Sequence, residues 1–145
     1  MKKDAKTLMG KIGEDIVYES FKFAQKTSDW YDAVKDGMIG PNLMYEVKTA
    51  RLNYRDQGFW MAENQWKKLD GCDILFFVKV PEEVEEGLRL YQMTNHRENF
   101  NVFTHKNIRY RNYWFTKCMP CDIITDERVK TVVELSKSLQ TWSPK

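Results

Sequence analysis

The stretch Ile74-Leu75-Phe76-Phe77-Val78-Lys79-Val80 is the most apolar run of the chain, and Pro81 follows it directly. Apolar and polar residues do not alternate within it, so neither of its faces is suited to water. A run of this length and composition is expected for a strand that is buried on both faces in the middle of a sheet. The sequence therefore predicts a central strand over residues 74–80.

Further strand patterns lie on both sides of this run. Residues 30–35 and 43–50 are separated by residues 36–42, which are dense in turn formers, and this predicts an antiparallel hairpin. Two more strands are predicted, over residues 88–93 and 108–115.

Helical periodicity is present in three segments. Thr7 can cap a first helix that extends to about residue 26, and a second is predicted over residues 59–69, closed by Gly71. A third helix is predicted over residues 126–139. The sum is an α/β fold in which a central mixed β-sheet of four or more strands is flanked by helices.

Composition narrows the class of protein. The chain has 145 residues, enough for one domain over residues 1–145, and its 42% hydrophobic content excludes a disordered tail. No apolar run is long enough to span a membrane, and no secretory segment follows the N-terminus. Together with three cysteines, this predicts a cytoplasmic protein with reduced thiols. A net charge of +2 does not by itself indicate a nucleic-acid binder.

The strongest chemical signal is Tyr45-Glu46-Val47-Lys48. Side chains alternate along a strand, so Glu46 and Lys48 leave one face, and Tyr45 and Val47 leave the other. Taken alone, this pattern is also typical of a charged pair on a solvent-facing strand.

A second carboxylate is expected near Glu46. Asp32 lies on the preceding predicted strand, and a hairpin can bring it beside Glu46, which is the arrangement that a hard cation such as Mg²⁺ requires. Asp36 is a rival, but Asp36-Gly37 is interpreted as the turn itself. Asp29 is another rival and precedes the strand.

Two polar residues on helices complete the candidate site. On the first helix, Glu14 shares a face with Val17 and Phe21, so its carboxylate is expected to point toward the packed side, although a first-turn Glu is also favoured by the helix dipole. Within Asn64-Gln65-Trp66, Gln65 can turn toward the same site, or it can be an ordinary surface residue.

The ordered set of Gly-x-x-Gly-Glu at residues 10–14, Asp32, Glu46-Val47-Lys48 and Asn64-Gln65-Trp66 resembles the PD-(D/E)XK nuclease superfamily. Restriction endonucleases and archaeal-type Holliday junction resolvases belong to it. The similarity covers residues 7–80. Two departures are that Tyr31, not proline, precedes Asp32, and that residues 26–29 leave little room for the strand that usually precedes the Asp-bearing one.

The resemblance implies a Mg²⁺-dependent DNA endonuclease, with Mn²⁺ as a substitute. The ion would be held by Asp32, Glu46 and the backbone carbonyl of Val47, and Glu14 would reach it through a water or complete a second site. Lys48 would orient or deprotonate the attacking water, and Gln65 would hold a water or a phosphate oxygen. By analogy with the family, a homodimer is expected, because both strands of a duplex must be cut.

Two alternatives to that function remain open, a structure-specific resolvase-type nuclease for junctions or flaps, and a non-catalytic nucleic-acid-binding module on the same fold. Residues 88–145 are the predicted DNA-contact region, since Arg109 and Arg111 alternate there with aromatic residues. An edge strand with one aromatic face in the core explains that pattern equally well. The remaining predicted phosphate contacts are Lys11, Arg51 and Arg55.

Cys118-Met119-Pro120-Cys121 is a CxxC motif with His96 and His105 upstream. Two Cys and two His can form a tetrahedral zinc site, and this would also suit a small accessory protein. Neither a second CxxC nor close His spacing accompanies the motif, so two thiols in a turn are the favoured interpretation.

Overall fold

The structure is a computed structural model that describes residues 2–21, 24–26, 37–39, 43–51, 58–94 and 96–140. In chain order, its helices and strands are α1 (Lys2–Ser20), β1 (Ala24–Lys26), β2 (Gly37–Ile39), β3 (Leu43–Arg51), β4 (Gly58–Ala62), α2 (Glu63–Lys67), β5 (Ile74–Val80), β6 (Leu88–Thr94), α3 (His96–Asn99), β7 (Asn101–His105), β8 (Ile108–Trp114), β9 (Met119–Ile124) and α4 (Arg128–Gln140).

A mixed sheet of six strands forms the middle layer, in the order β1-β2-β3-β5-β6-β9. The pair β3 and β5 is parallel, and the other neighbours are antiparallel. The predicted α/β fold with a central mixed sheet flanked by helices is confirmed, as is the central strand over 74–80. A second sheet, β4-β8-β7, was not predicted.

The two faces of β5 explain its composition. Phe76 and Val78 pack in the cluster formed with α1 and α4, whereas Leu75 and Phe77 pack in a second cluster with the residues of β4 and β8. Both clusters are fully buried at β5, since these four side chains are at most 1% exposed. The fold therefore has three layers, with α1 and α4 on one side of the large sheet and the small sheet with α2 on the other.

The first predicted helix is too long. The structure ends α1 at Ser20 and places Ala24–Lys26 in β1, because pairing with β2 provides these residues with a hydrogen-bond ladder that outweighs a weak helical pattern. The predicted turn over 36–42 is also wrong in part, since Gly37–Ile39 is β2 and pairs with β3. The predicted strand over 30–35 lies outside the described residues.

The predicted helix over 59–69 divides into β4 and the short helix α2. Phe59 and Met61 alternate with Trp60 and are buried in the second cluster, which is a period of two residues and not of 3.6. Gly71 closes the turn after α2 with a φ of 96°, the left-handed region expected of glycine there.

In the C-terminal part, the strands predicted over 88–93 and 108–115 and the helix predicted over 126–139 are confirmed by β6, β8 and α4. The structure adds β9. β9 was not predicted, because its side chains are almost all exposed and show no apolar alternation. It is the last strand of the large sheet, it contains Pro120, and its pairing with β6 is irregular between Leu90 and Tyr91. In the described ranges, no helix is long and apolar enough to cross a membrane.

Candidate active site on strand β3

Glu46 and Lys48 lie on the same face of β3, as alternation predicts. Tyr45 and Val47 belong to the cluster under α1 and α4, and Ala50 packs against the second cluster. Glu46, Lys48 and Ala50 are alternate residues of β3, so their side chains lie on the same face. This is the face of the large sheet on which the small sheet packs.

This face of β3 is largely withdrawn from water. Glu46 is 7% exposed, and Lys48 is half-buried. In the parallel register, Glu46 is beside Leu75 and Lys48 is beside Phe77, and neither apolar neighbour is exposed. Burying a carboxylate beside apolar side chains is costly without hydrogen bonds or positive charge, which sets this pair apart from a solvent-facing one.

One side of β3 is paired for only part of its length. β2 pairs with residues 43–45, whereas β5 pairs with β3 from Tyr45 to Arg51. Among the described strands, none is paired with the β2 side of β3 from Glu46 onward. Asp29, Asp32 and Asp36 all lie outside the described residues, but Asp36 is bonded to Gly37, which pairs with Tyr45.

Glu14 lies on α1, directly after Gly13, where the helix is in close contact with β3. A Cβ added at the preceding Gly13 would overlap the hydroxyl of Thr49, so only glycine permits this approach. Glu14 is half-buried, while Val17 of the same face is fully buried. Because α1 packs on the Tyr45 face of β3, the structure places Glu14 in a different layer from Glu46 and Lys48.

Gln65 is exposed on α2, which packs against β4 and β8. Its neighbour Glu63 is the residue that sequence reasoning missed. Glu63 Oε1 accepts hydrogen bonds from Arg111 Nη2 at 2.6 Å and from Arg111 Nε at 3.1 Å, and Arg109 Nε lies 3.1 Å from Glu63 Oε2. The hydrogen bond from Arg111 is the main reason why the pKa of Glu63 is lowered.

Arg111 also stacks on Trp66, with its guanidinium carbon 3.6 Å from the ring centroid. Its side chain is only 15% exposed, whereas that of Arg109 is 59% exposed. Of the two arginines predicted to contact DNA, Arg111 is thus committed to α2, and Arg109 has a guanidinium that remains accessible. β8 is the middle strand of the small sheet and not the edge strand considered above.

The other predicted phosphate contacts are dispersed. Lys11 is exposed on α1, on the opposite side of the large sheet from Glu46. Arg51, at the end of β3, lies 3.6 Å from Glu82 Oε1, and the Glu82 side chain is 82% exposed. Arg55 lies outside the described residues.

The two cysteines of the CxxC motif have different environments. Cys118 is buried in the second cluster and its thiol donates to the Trp114 carbonyl, whereas Cys121 is exposed and its thiol lies 3.7 Å from Gln92 Oε1. Burial raises the pKa of the Cys118 thiol to about 12. His105 contacts Trp60 on the opposite face of the small sheet from Cys118, so these two cannot share one ion.

Within the described ranges, no group of three His, Cys, Asp or Glu side chains is arranged to hold a metal ion. The predicted set includes Asp32, which falls outside those ranges. Comparison of the chain with known protein families and with curated protein sequences gives no match.

Proposed function

We propose that the protein is a Mg²⁺-dependent DNA endonuclease with a PD-(D/E)XK-type site. The observation that carries the proposal is the pair Glu46 and Lys48, an acid and an amine on one face of β3, with the acid 7% exposed and beside Leu75 of β5. A carboxylate in this position can bind a cation, and a compact amine two residues further along can act on a water beside it.

The order of strands supports the same proposal. The superfamily core usually contains a strand before the one that carries the aspartate, and β1 (Ala24–Lys26), which precedes Asp32 and Asp36 in the chain and pairs with β2, is consistent with that order. β3 then runs parallel to β5, in which every side chain except that of Lys79 is buried. The strand order therefore supports the resemblance independently of the four short motifs.

We propose Asp36, in place of Asp32, as the second carboxylate, because Asp36 directly precedes β2 in the chain. The interpretation of Asp36-Gly37 as a turn is wrong for Gly37, which is the first residue of β2 and pairs with Tyr45. Asp36 is bonded to Gly37, and Glu46 is bonded to Tyr45, so the two acids flank one cross-strand pair. β2 and β3 are neighbouring strands, and carboxylates carried by neighbouring strands can share a divalent ion.

Each residue then has a distinct task. Glu46 and Asp36, with the Val47 carbonyl, would hold the ion, which when bound supplies charge stabilisation at the phosphate and a water of lowered pKa. Lys48 would orient that water or receive its proton, and its ammonium form would stabilise negative charge that develops on the phosphate. The apolar neighbours Leu75 and Phe77 exclude bulk water from this face, which strengthens both interactions.

The direct test is incubation of the full chain with supercoiled plasmid in Mg²⁺ or Mn²⁺, with a chelator control. Nicked and linear products are expected with the wild-type protein and not with Lys48→Ala or Glu46→Gln, while Lys130→Ala, at an exposed position of α4, should cut normally. Cleavage that persists in Lys48→Ala would remove Lys48 from the mechanism. Binding without cleavage by the wild-type protein would favour the non-catalytic module.

A further inference from the structure

The outer face of the small sheet is aromatic. One face of the small sheet is directed away from the large sheet. By register, it carries the even-numbered residues of β4 and β8 and the odd-numbered residues of β7. Trp60, Phe103 and Tyr110 contact one another there, with Trp60 and Phe103 ring centroids 4.7 Å apart and Phe103 and Tyr110 centroids 5.4 Å apart. We call this set, with Trp114 and Asn112, the aromatic face.

The aromatic face is accessible. Trp60, Phe103 and Tyr110 are half-buried, and Trp114 is 37% exposed. By register, none of its positions carries Asp or Glu. Such a surface places no negative charge in the way of a phosphate backbone.

The side chain of Asn112, at the centre of this face, provides a second and independent argument for a ligand. It lies between Trp114 and Tyr110 along β8 and opposite Trp60 on β4. It is only 5% exposed, and within the described part of the chain its Oδ1 has no hydrogen-bond partner. A buried acceptor without a donor is costly, so a ligand that brings an N–H group here would remove that cost.

We propose that the aromatic face binds an unpaired nucleobase of single-stranded DNA or RNA. A base has a flat π-face that stacks on Trp or Tyr, and adenine, cytosine and guanine also carry an exocyclic amine that can donate to Asn112 Oδ1, whereas the donor of thymine is its ring N3–H. In a duplex, the π-faces of the bases are covered by stacking, so the face selects substrates with unpaired bases. The inference rests on the proposed nuclease only for the link between such binding and cleavage.

The test is fluorescence anisotropy of labelled single-stranded oligonucleotides in chelator, where cleavage plays no part. Trp114→Ala and Trp60→Ala should each weaken binding about tenfold, the effect of losing one base–aromatic stack. Trp114→Phe, which keeps a ring, should bind almost as the wild-type protein does. Tyr18→Ala is the matched control, because Tyr18 is an exposed aromatic on α1, on the far side of the large sheet.

Base composition provides the second arm. Adenine or cytosine strands should bind more tightly than thymine strands, because thymine lacks the exocyclic amine, and Asn112→Leu should abolish that preference. Parallel DNA and RNA strands show whether the sugar matters. Unchanged oligonucleotide affinity in Trp114→Ala would overturn the proposal. If that variant also lost self-association, the aromatic face would instead be an interface between copies of the protein. A plasmid assay without cleavage leaves this binding result unaffected.

Discussion

Arg111 lies with its guanidinium carbon 3.6 Å above the ring of Trp66, and this contact joins β8 to α2 at the edge of the buried second cluster. Glu63, three residues before Trp66, accepts hydrogen bonds from the same guanidinium. A planar cation that stacks on one side chain and donates two hydrogen bonds to another cannot be replaced by lysine without loss. These contacts therefore hold β8 of the small sheet against α2.

Arg111→Lys is expected to lower the free energy of unfolding by about 1–2 kcal/mol, because the stacked and largely covered guanidinium is lost. Urea denaturation followed by tryptophan fluorescence measures this. Arg109→Lys is the matched control, since Arg109 is 59% exposed and makes one contact with the same carboxylate. An equal effect of both substitutions would show that stacking on Trp66 contributes nothing.

Acidification should destabilise the protein partly through Glu63. Its pKa is lowered from the ordinary value of 4.5, first by the hydrogen bond from Arg111. A group whose pKa is depressed by folding stabilises the folded state above its unfolded pKa, and that stabilisation disappears as the pH falls below about 4.5. The free energy of unfolding of the wild-type protein should therefore fall more steeply with acid than that of Glu63→Gln. Asp126, whose pKa is lowered by Arg128, contributes in the same direction in both proteins. Parallel pH profiles for the two proteins would contradict this assignment.

Two glycines of α1 should respond in opposite ways to alanine. A Cβ at Gly10 meets no atom within 4 Å, so Gly10→Ala should stabilise the helix by up to about 1 kcal/mol. A Cβ at Gly13 overlaps the Thr49 hydroxyl, so Gly13→Ala should destabilise the protein by about 1–3 kcal/mol. Thermal unfolding of both variants tests this, and Thr49→Ala should restore part of the stability of Gly13→Ala. If Gly13→Ala is neutral, α1 does not approach β3 as described.

The assignment of the second carboxylate can be decided by a pair of isosteric variants. Asp36→Asn is expected to reduce plasmid cleavage at least about 100-fold, the scale on which a lost metal contact acts, while Asp32→Asn should retain activity. Circular dichroism of both variants controls for folding. The reverse pattern would restore Asp32, and full activity in both would exclude a second carboxylate from this hairpin.

The sequence predicts best those features that depend on residues close together in the chain, such as the composition of one strand or the alternation of its side chains. The apolar composition of β5 needs no knowledge of its neighbours, and alternation alone places Glu46 and Lys48 on one face of β3. The helix expected over 59–69 is confirmed only at α2 and is wrong before it, because pairing with β8 places Phe59, Trp60 and Met61 in strand β4. The contact between Glu63 and Arg111 joins residues 48 positions apart, and no short-range pattern marks it.

The position of β9 at the end of the large sheet has a consequence for self-association. An open strand edge invites sheet growth between molecules, which proteins prevent with proline, charge and irregular pairing. β9 carries all three, with Pro120, Asp122 and the bulge opposite Leu90 and Tyr91. We therefore expect any homodimer to form through side-chain packing elsewhere and not through a continuous intermolecular sheet across β9, and this same edge should resist amyloid-like stacking when the protein is concentrated.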